Sequence, residues 1–455
     1  MTDFERTRSP LPAPRVALLA AGMLALVAVA ALVAVAPDEE PSDDAAELPV
    51  DQREAPAEEG LDAEGSDDPS SPDAGPADTH DDGEGLGEPL EGPPTLADQR
   101  ALAGGSWEPL AESPLEPRFG AFSAWTGGEL LVIGGDLGVE PTASAGAYDP
   151  DADAWRELPA APEAIRPPEH QAAWTGAELV IWGGDPDEEV GLAFDADQES
   201  WRELPDAPLE GRRYHTVEHL GDEVVVWGGR QGGQPVADGA AYDPVEDTWR
   251  TIAEPASVAG MGVTTAADGE ACEGPRCGQL LVWTAPAEDS DAEDDAATSA
   301  WSGAAYDPGA DRWEELAELP RRTGTGTPSL TWAEDRALLC CDFAGGAQLG
   351  IYDAEEDGWS DAGAAPVGRR TLHAAEWGEG ELLIWGGRIR DRWIRGSGGT
   401  YDVEEGEWAS LPIAPPGQAR IHPTSAWTGE ELLVWGGYDG RDSFADGVRW
   451  APPED

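Results

Sequence analysis

The sequence of 455 residues contains 92 acidic and 27 basic residues, which gives a formal net charge of -65. All the basic residues are arginine. A surface this acidic repels polyphosphates and anionic lipid, which excludes nucleic acid as a partner.

An uncharged apolar segment lies near the N-terminus, at residues 16–36. Its 21 residues can span a bilayer, and arginines precede it whereas acidic residues follow it. A cleaved secretory signal is the alternative, because residues 34–36 resemble a cleavage site. We predict a cytoplasmic tail at residues 1–15 and a transmembrane helix or signal anchor at residues 16–36. The rest of the chain is then extracytoplasmic, anchored at the cell membrane by a single pass or secreted if the segment is cleaved.

The next segment, residues 37–100, is rich in acidic residues, proline, glycine and serine. It has 22 acidic residues against two arginines and no aromatic residue. Such a composition cannot bury a hydrophobic core. We predict a disordered acidic linker that holds the following domain away from the membrane.

From residue 101 onward the chain repeats with a period of 46 to 64 residues, marked by one tryptophan per period. A period of this length is typical of one four-stranded sheet rather than a helix pair. The marker residues are Trp107, Trp155, Trp201, Trp249, Trp313, Trp359 and Trp408.

Each period has the same internal order, which is clearest at residues 212–252. Four short segments rich in valine, leucine, tryptophan and tyrosine are separated by turn residues, so we predict strands a, b, c and d. Strand b ends in Gly-Gly, strand c ends in Tyr-Asp-Pro, and strand d contains the tryptophan. This pattern resembles the kelch repeat, the blade of the galactose oxidase type of β-propeller. The resemblance covers residues 101–455, although blades four and five lack the paired glycines.

The last period lacks a strand d, and a spare one stands at the front of the repeat region. Residues 106–110 have the sequence of a strand d and precede the first strand a. We therefore predict an all-β, seven-bladed propeller whose last blade is completed by this N-terminal strand. Such closure leaves only short sheet edges.

The four cysteines fall in two pairs. Cys272 and Cys277 lie in one a–b loop and can form a disulfide across it. Cys340 and Cys341 are adjacent in a strand, where side chains alternate between faces, so we predict two buried thiols rather than a vicinal disulfide. The spacing offers neither a Cys-x-x-Cys motif nor a paired histidine, so we predict no metal site and no cofactor.

Arginines concentrate in the d–a and b–c loops, which share one face of a propeller. Arg118, Arg212, Arg370 and Arg420 each stand twelve residues before the first apolar residue of strand b and could form a ring at the channel mouth. Guanidinium groups favour carboxylate, sulfate or phosphate. The alternative is that these arginines are structural and pair with neighbouring acidic residues. The full set of candidate ligand-binding residues is Arg118, Arg212, Arg213, Arg230, Arg370, Arg388 and Arg420.

These patterns predict a non-enzymatic binding or scaffold module that recognises a protein or an anionic glycan through the arginine-bearing face. We predict a monomer. The alternative is a carbohydrate-active enzyme of the galactose oxidase or sugar-epimerase type, although we assign no catalytic residue because the fold alone does not define one. A purely structural spacer is a third possibility.

Overall fold

The computed structural model describes residues 103–185, 189–267, 272, 274–285, 300–320, 328–341, 348–368, 370–389 and 393–453. These residues form seven antiparallel four-stranded sheets, the blades of a β-propeller. The all-β, seven-bladed prediction is confirmed. The predicted segments at residues 1–15, 16–36 and 37–100 lie outside the described residues.

The blades follow one another along the chain. Blade one contains β2 (Phe122–Trp125), β3 (Leu130–Ile133), β4 (Ala145–Asp149) and β5 (Ala154–Leu158). Blade two contains β6 (His170–Trp174), β7 (Glu178–Gly183), β8 (Val190–Asp195) and β9 (Ser200–Glu203). Blade three contains β10 (Thr216–Leu220), β11 (Glu223–Trp227), β14 (Gly239–Asp243) and β15 (Thr248–Thr251). A small hairpin of β12 (Arg230–Gln231) and β13 (Gln234–Pro235) extends its b–c loop.

The remaining blades repeat this arrangement. Blade four contains β16 (Gly262–Ala267), β17 (Gln279–Thr284), β18 (Trp301–Asp307) and β19 (Arg312–Leu319). Blade five contains β20 (Ser329–Ala333), β21 (Arg336–Cys340), β22 (Gln348–Asp353) and β23 (Gly358–Ala364). Blade six contains β24 (Ala374–Gly378), β25 (Glu381–Trp385), β28 (Gly398–Asp402) and β29 (Glu407–Ser410), with a b–c hairpin of β26 (Arg388–Ile389) and β27 (Trp393–Ile394).

Blade seven joins the two ends of the repeat region. It contains β30 (Thr424–Trp427), β31 (Leu432–Trp435), β32 (Gly447–Ala451) and, as its outermost strand, β1 (Ser106–Pro109). The strands β1 and β32 are antiparallel, with Trp107 opposite Trp450. The predicted closure by an N-terminal strand is therefore confirmed.

The hydrophobic core consists of seven clusters, each between two neighbouring blades. The cluster between blades seven and one packs Trp435 and Leu433 against Leu130 and Tyr148, so the ring is closed by packing as well as by hydrogen bonds. Strand b is buried along its length because a sheet covers each of its faces. The first strands of successive blades contact one another around the whole ring and so surround its axis.

The repeated tryptophan of strand d explains the period of the sequence. In blade three Trp249 packs against Tyr242 of its own blade, with ring centroids 5.0 Å apart, and against Trp182 of blade two at 6.4 Å. Its indole nitrogen donates to the Pro205 carbonyl at 2.9 Å. The same ring therefore stabilises one blade and fastens it to the preceding one.

Candidate functional site

The d–a and b–c loops meet on one side of the ring, which we call the top face. In four blades the residue three positions before strand a forms a β-bridge with the residue that follows Gly-Gly. These bridges are Phe119 to Asp136, Arg213 to Arg230, Thr371 to Arg388 and Ile421 to Tyr438. Three arginine candidates take part in these bridges. Arg213 is bridged to Arg230 in blade three, and Arg388 holds the position of Arg230 in blade six.

Four of the predicted ligand-binding arginines are buried. Arg118, Arg212, Arg370 and Arg420 expose at most 2% of their surface. Each guanidinium donates to the carbonyl oxygen of the first glycine after strand b, sixteen residues further along the chain. The distances from Nη1 are 3.0 Å to Gly134 for Arg118, 3.4 Å to Gly228 for Arg212, 2.8 Å to Gly386 for Arg370 and 2.7 Å to Gly436 for Arg420.

The same guanidinium also donates to the carbonyl oxygen of the residue before strand c. Those acceptors are Ser144, Asp238, Ser397 and Asp446. Each arginine thus ties strand b to strand c beneath the loop that connects them. These four side chains do not form the open ring that the sequence predicted, because their hydrogen bonds are directed inward to the backbone. These four arginines therefore have a structural role, and their principal acceptors are backbone carbonyl oxygens.

Burial has a measurable electrostatic consequence for these arginines. Desolvation lowers the pKa of Arg118 to about 10 and that of Arg370 to about 10, and it also lowers the pKa of Arg420. The values for Arg118 and Arg370 remain above neutrality, so these two side chains stay charged and keep donating to the carbonyl oxygens.

The other three candidates lie nearer the surface. Arg213 forms a two-pronged ion pair with Asp185, at 2.8 and 2.7 Å. Arg230 is exposed and donates to the Gly233 carbonyl at 3.4 Å. Arg388 is half-buried. The charge of Arg213 is already neutralised, which leaves Arg230 and Arg388 as the candidates that a ligand could engage.

An exposed aromatic side chain in the b–c hairpin of blade six was not predicted from the sequence. Trp393 is 62% exposed, and the guanidinium carbon of Arg395 lies 5.6 Å from its ring centroid. A large ring left in solvent is unusual in this chain, where the strand tryptophans are packed between blades. An exposed aromatic residue with a stacked arginine is typical of an interface anchor.

This hairpin belongs to a continuous surface formed by the b–c loops of blades six, seven and one. A Cβ added at Gly440 would lie 3.3 Å from Ile394, and one at Gly138 would lie 4.0 Å from Ser443. The rings of Phe119 and Tyr438 are 5.4 Å apart behind these loops. We call the surface the 6–7–1 patch, and it comprises Val139, Trp393, Arg395, Tyr438 and Arg441. Val139 is 90% exposed and the Arg441 side chain is 88% exposed.

Two carboxyl groups on the strands around the axis were also missed. Glu218 lies opposite Val225 and Glu376 lies opposite Leu383, which places both at the same position in their blades. Both are buried. Ser425 donates to Glu376 at 2.6 Å, whereas Glu218 accepts only a long hydrogen bond of 3.5 Å from Thr264. Desolvation raises the pKa of Glu218 to about 8 and that of Glu376 to about 7.

The histidines of the first strands do not form a metal ring. His170, His215 and His373 share one position, but each reaches separate partners: His215 contacts the Trp182 carbonyl at 2.9 Å, and His373 contacts the Ser329 hydroxyl at 2.8 Å. Desolvation lowers the pKa of His215 to about 3, so this imidazole is neutral.

The tyrosines of strand c are held by aspartates of the following turn. Four of the seven tyrosine hydroxyls donate to an aspartate five residues later, at 2.6 to 2.9 Å. The pairs are Tyr148 with Asp153, Tyr242 with Asp247, Tyr306 with Asp311 and Tyr352 with Asp357. Each aspartate has a positive φ between 45° and 54°. These acidic turns are structural, and their tyrosines are not directed at a common site.

The cysteines form two disulfides in the described part of the chain. Cys272 is bonded to Cys277 within the a–b loop of blade four. Cys340 and Cys341 are also bonded to each other, so the prediction of two separate thiols is wrong. Strand β21 ends at Cys340, so the alternation of side chains expected within a regular strand does not extend to Cys341.

Comparison with known families locates one repeat directly. The model of the Kelch motif matches residues 211–256, which contain all four strands of blade three. Blade three is therefore similar to the Kelch motif, and the described residues form a seven-bladed β-propeller. No curated protein matches the sequence.

Among the described residues of this propeller there is no helix long and apolar enough to cross a membrane.

Proposed function

We propose that this kelch propeller is a non-enzymatic scaffold that binds a protein partner through the 6–7–1 patch. The observation that carries the proposal is the exposure of Trp393 beside Arg395 on a patch shared by three blades. Tryptophan, tyrosine and arginine are the residues most enriched among interface anchors. The patch offers all three types, together with the apolar side chain of Val139.

Recognition of an anionic glycan is less well supported by the arginine positions. A polyanion is bound by several guanidinium groups that can release their own partners. Four of the seven arginine candidates are buried and donate to the backbone, and Arg213 is paired with Asp185. We therefore favour a protein over a glycan as the partner.

The location of the scaffold is also part of the proposal. The apolar segment at residues 16–36, followed by the acidic segment at residues 37–100, supports a propeller that is tethered to the cell membrane on its extracytoplasmic side. The two disulfides are consistent with an oxidising compartment.

Replacing Trp393 with alanine is expected to weaken partner binding about 30-fold, which corresponds to about 2 kcal/mol for an interface anchor. The experiment captures partners from a cell-envelope extract with the immobilised full chain and measures the affinity of each purified partner. Val245→Ala is the matched control, because Val245 is 85% exposed in a c–d turn on the opposite face. A partner that binds the Trp393→Ala variant as tightly as the parent chain would rule out this patch.

The alternative of a carbohydrate-active enzyme is favoured by one observation, the two buried carboxyl groups near the axis. Carboxyl groups with raised pKa values are typical of acid–base catalysts. The galactose oxidase variant of this alternative is less well supported, because four tyrosine hydroxyls are engaged by aspartates. Turnover of a sugar by the parent chain, lost in Glu218→Gln or Glu376→Gln, would establish the enzyme.

A further inference from the structure

Three potential metal ligands meet between blades five and six. A sulfur from Cys340, a sulfur from Cys341 and a ring nitrogen from His373 all lie within 4.8 Å of one another. All three residues are buried, with exposures of 0%, 0% and 3%. Among the described residues this is the group of histidine, cysteine and acidic side chains that is close enough to hold a metal ion.

The repeat explains why these residues meet. Ala337 pairs with Tyr352 as Val224 pairs with Tyr242 in blade three. Cys340 therefore stands where five of the other six blades have tryptophan, and Cys341 stands where five of them have the first glycine. The histidine before strand a reaches back to this part of the preceding blade, as His215 does to Trp182. In blade six the same reach brings His373 to the two sulfurs.

The His373 imidazole is held in place, but only one of its two ring nitrogens has a hydrogen-bond partner among the described residues. Its Nε2 atom lies 2.8 Å from the Ser329 hydroxyl, and that hydroxyl also donates to the Cys340 carbonyl at 3.0 Å. Its Nδ1 atom is buried and has no hydrogen-bond partner among the described residues. His215 Nδ1 is likewise buried without a partner among the described residues, so what distinguishes His373 is the pair of cysteine sulfurs beside it. Among the described residues, no histidine or acidic side chain joins Cys272 and Cys277 in a comparable group.

We propose that Cys340, Cys341 and His373 form a redox-gated site that binds one thiophilic d¹⁰ cation, such as Zn²⁺, when the cysteine pair is reduced. In the disulfide form each sulfur is bonded to the other and offers no thiolate. A dithiol reductant breaks the S–S bond, transfers two electrons and two protons to give two thiols, and itself becomes a disulfide. Binding of the cation then displaces the two thiol protons, and two thiolates with one neutral imidazole form the ligand set that Zn²⁺ prefers. One coordination position remains for water or another donor.

The test uses Cd²⁺ as a probe, because cadmium thiolates absorb in the near ultraviolet. The full chain is treated with dithiothreitol, freed of reductant without oxygen, and titrated with Cd²⁺. The Cys272→Ser/Cys277→Ser variant should bind one Cd²⁺ per chain when reduced and none when oxidised. His373→Gln in the same background should weaken binding at least 10-fold, whereas His215→Gln should leave it unchanged.

A second measurement does not depend on a variant of the site folding correctly. In the reduced Cys272→Ser/Cys277→Ser chain, Cd²⁺ should protect both Cys340 and Cys341 from alkylation, as read by mass spectrometry. The proposal is overturned if reduced protein shows neither absorption nor protection, or if His373→Gln binds as tightly as the parent. It is also overturned if excess dithiothreitol leaves the pair oxidised in the folded chain, because no thiolates would then be available to bind a cation.

Discussion

Replacing Arg212 with alanine is expected to lower the free energy of unfolding by about 3 to 5 kcal/mol. Arg212 is 1% exposed, and its guanidinium donates to the carbonyl oxygens of Gly228 and Asp238 and to the Asp238 carboxylate. Alanine would leave these buried acceptors without donors and open a cavity beneath the b–c loop. Urea unfolding of the full chain, followed by tryptophan fluorescence, measures the change.

The neighbouring residue provides a matched control. Arg213 differs from Arg212 by one position, but its side chain is 41% exposed and its ion pair with Asp185 lies at the surface. Exposed ion pairs contribute about 0 to 1 kcal/mol, so Arg213→Ala should shift the urea midpoint little. Equal shifts for Arg212→Ala and Arg213→Ala would contradict the structural role assigned to the buried arginines.

Stability is expected to fall as the pH rises from 6.5 to 9, because of the buried carboxyl groups of Glu218 and Glu376. Burial raises their pKa values to about 8 and about 7, whereas exposed glutamate titrates near 4.5. Between these limits the folded chain retains protons that the unfolded chain has released, so the slope of stability against pH is negative. The stabilisation is complete below the unfolded pKa and is lost as the pH passes the folded pKa. Between pH 6.5 and 9 the expected loss is on the order of 2 kcal/mol for Glu218 and 1 kcal/mol for Glu376, because the rest of each loss occurs at lower pH.

Glutamine tests this effect because it resembles the protonated glutamic acid. Glu218→Gln and Glu376→Gln should each unfold at a higher temperature than the parent at pH 8.5, and the double variant should show a flatter pH profile. The buried histidines act in a different range: desolvation lowers the pKa values of His215 and His422, so their cost appears as the pH falls below about 6.5. A parent profile that is already flat from pH 6.5 to 9 would be evidence against the assigned titrations.

Much of the fold could be predicted because the residues that repeat along the sequence are the ones that pack the blades together. The tryptophan of strand d contacts the tyrosine of its own blade and a tryptophan of the preceding one, so every blade must repeat it. The closing strand was recognisable because residues 106–110 have the sequence of strand d and no strand a of their own before them.

The arginine site was harder to predict, because a side chain at the start of a blade can point either to solvent or beneath the b–c loop. The constant spacing of sixteen residues between Arg118 and Gly134, repeated from Arg212 to Gly228, was the signal that could have revealed the inward direction. A ligand ring would not require a fixed distance to a backbone carbonyl. Trp393 carries no such signal, because its exposure depends on a hairpin that extends beyond the repeat.

The cysteine and histidine cluster shows a different limit of sequence analysis. His373 is 32 positions from Cys341, and only the contact between blades five and six brings them together. Ligand spacing along the chain is informative when one loop or helix supplies the ligands. This spacing is not informative when two neighbouring blades each supply part of the ligand set.

Because the closing strand brings the two ends of the repeat region together, the structure of the ring does not depend on which blade is synthesised first. Gly104 lies against Pro453, with a Cβ at position 104 only 2.9 Å from the proline ring. A short linker could join these positions, while new ends could be placed between Gly232 and Gly233, at a hairpin tip where an added Cβ would meet nothing. Such a circular permutant would keep all seven sheets and all seven packing clusters. Any blade of this ring could therefore come first in the sequence, and a gene could begin at any loop of this kind.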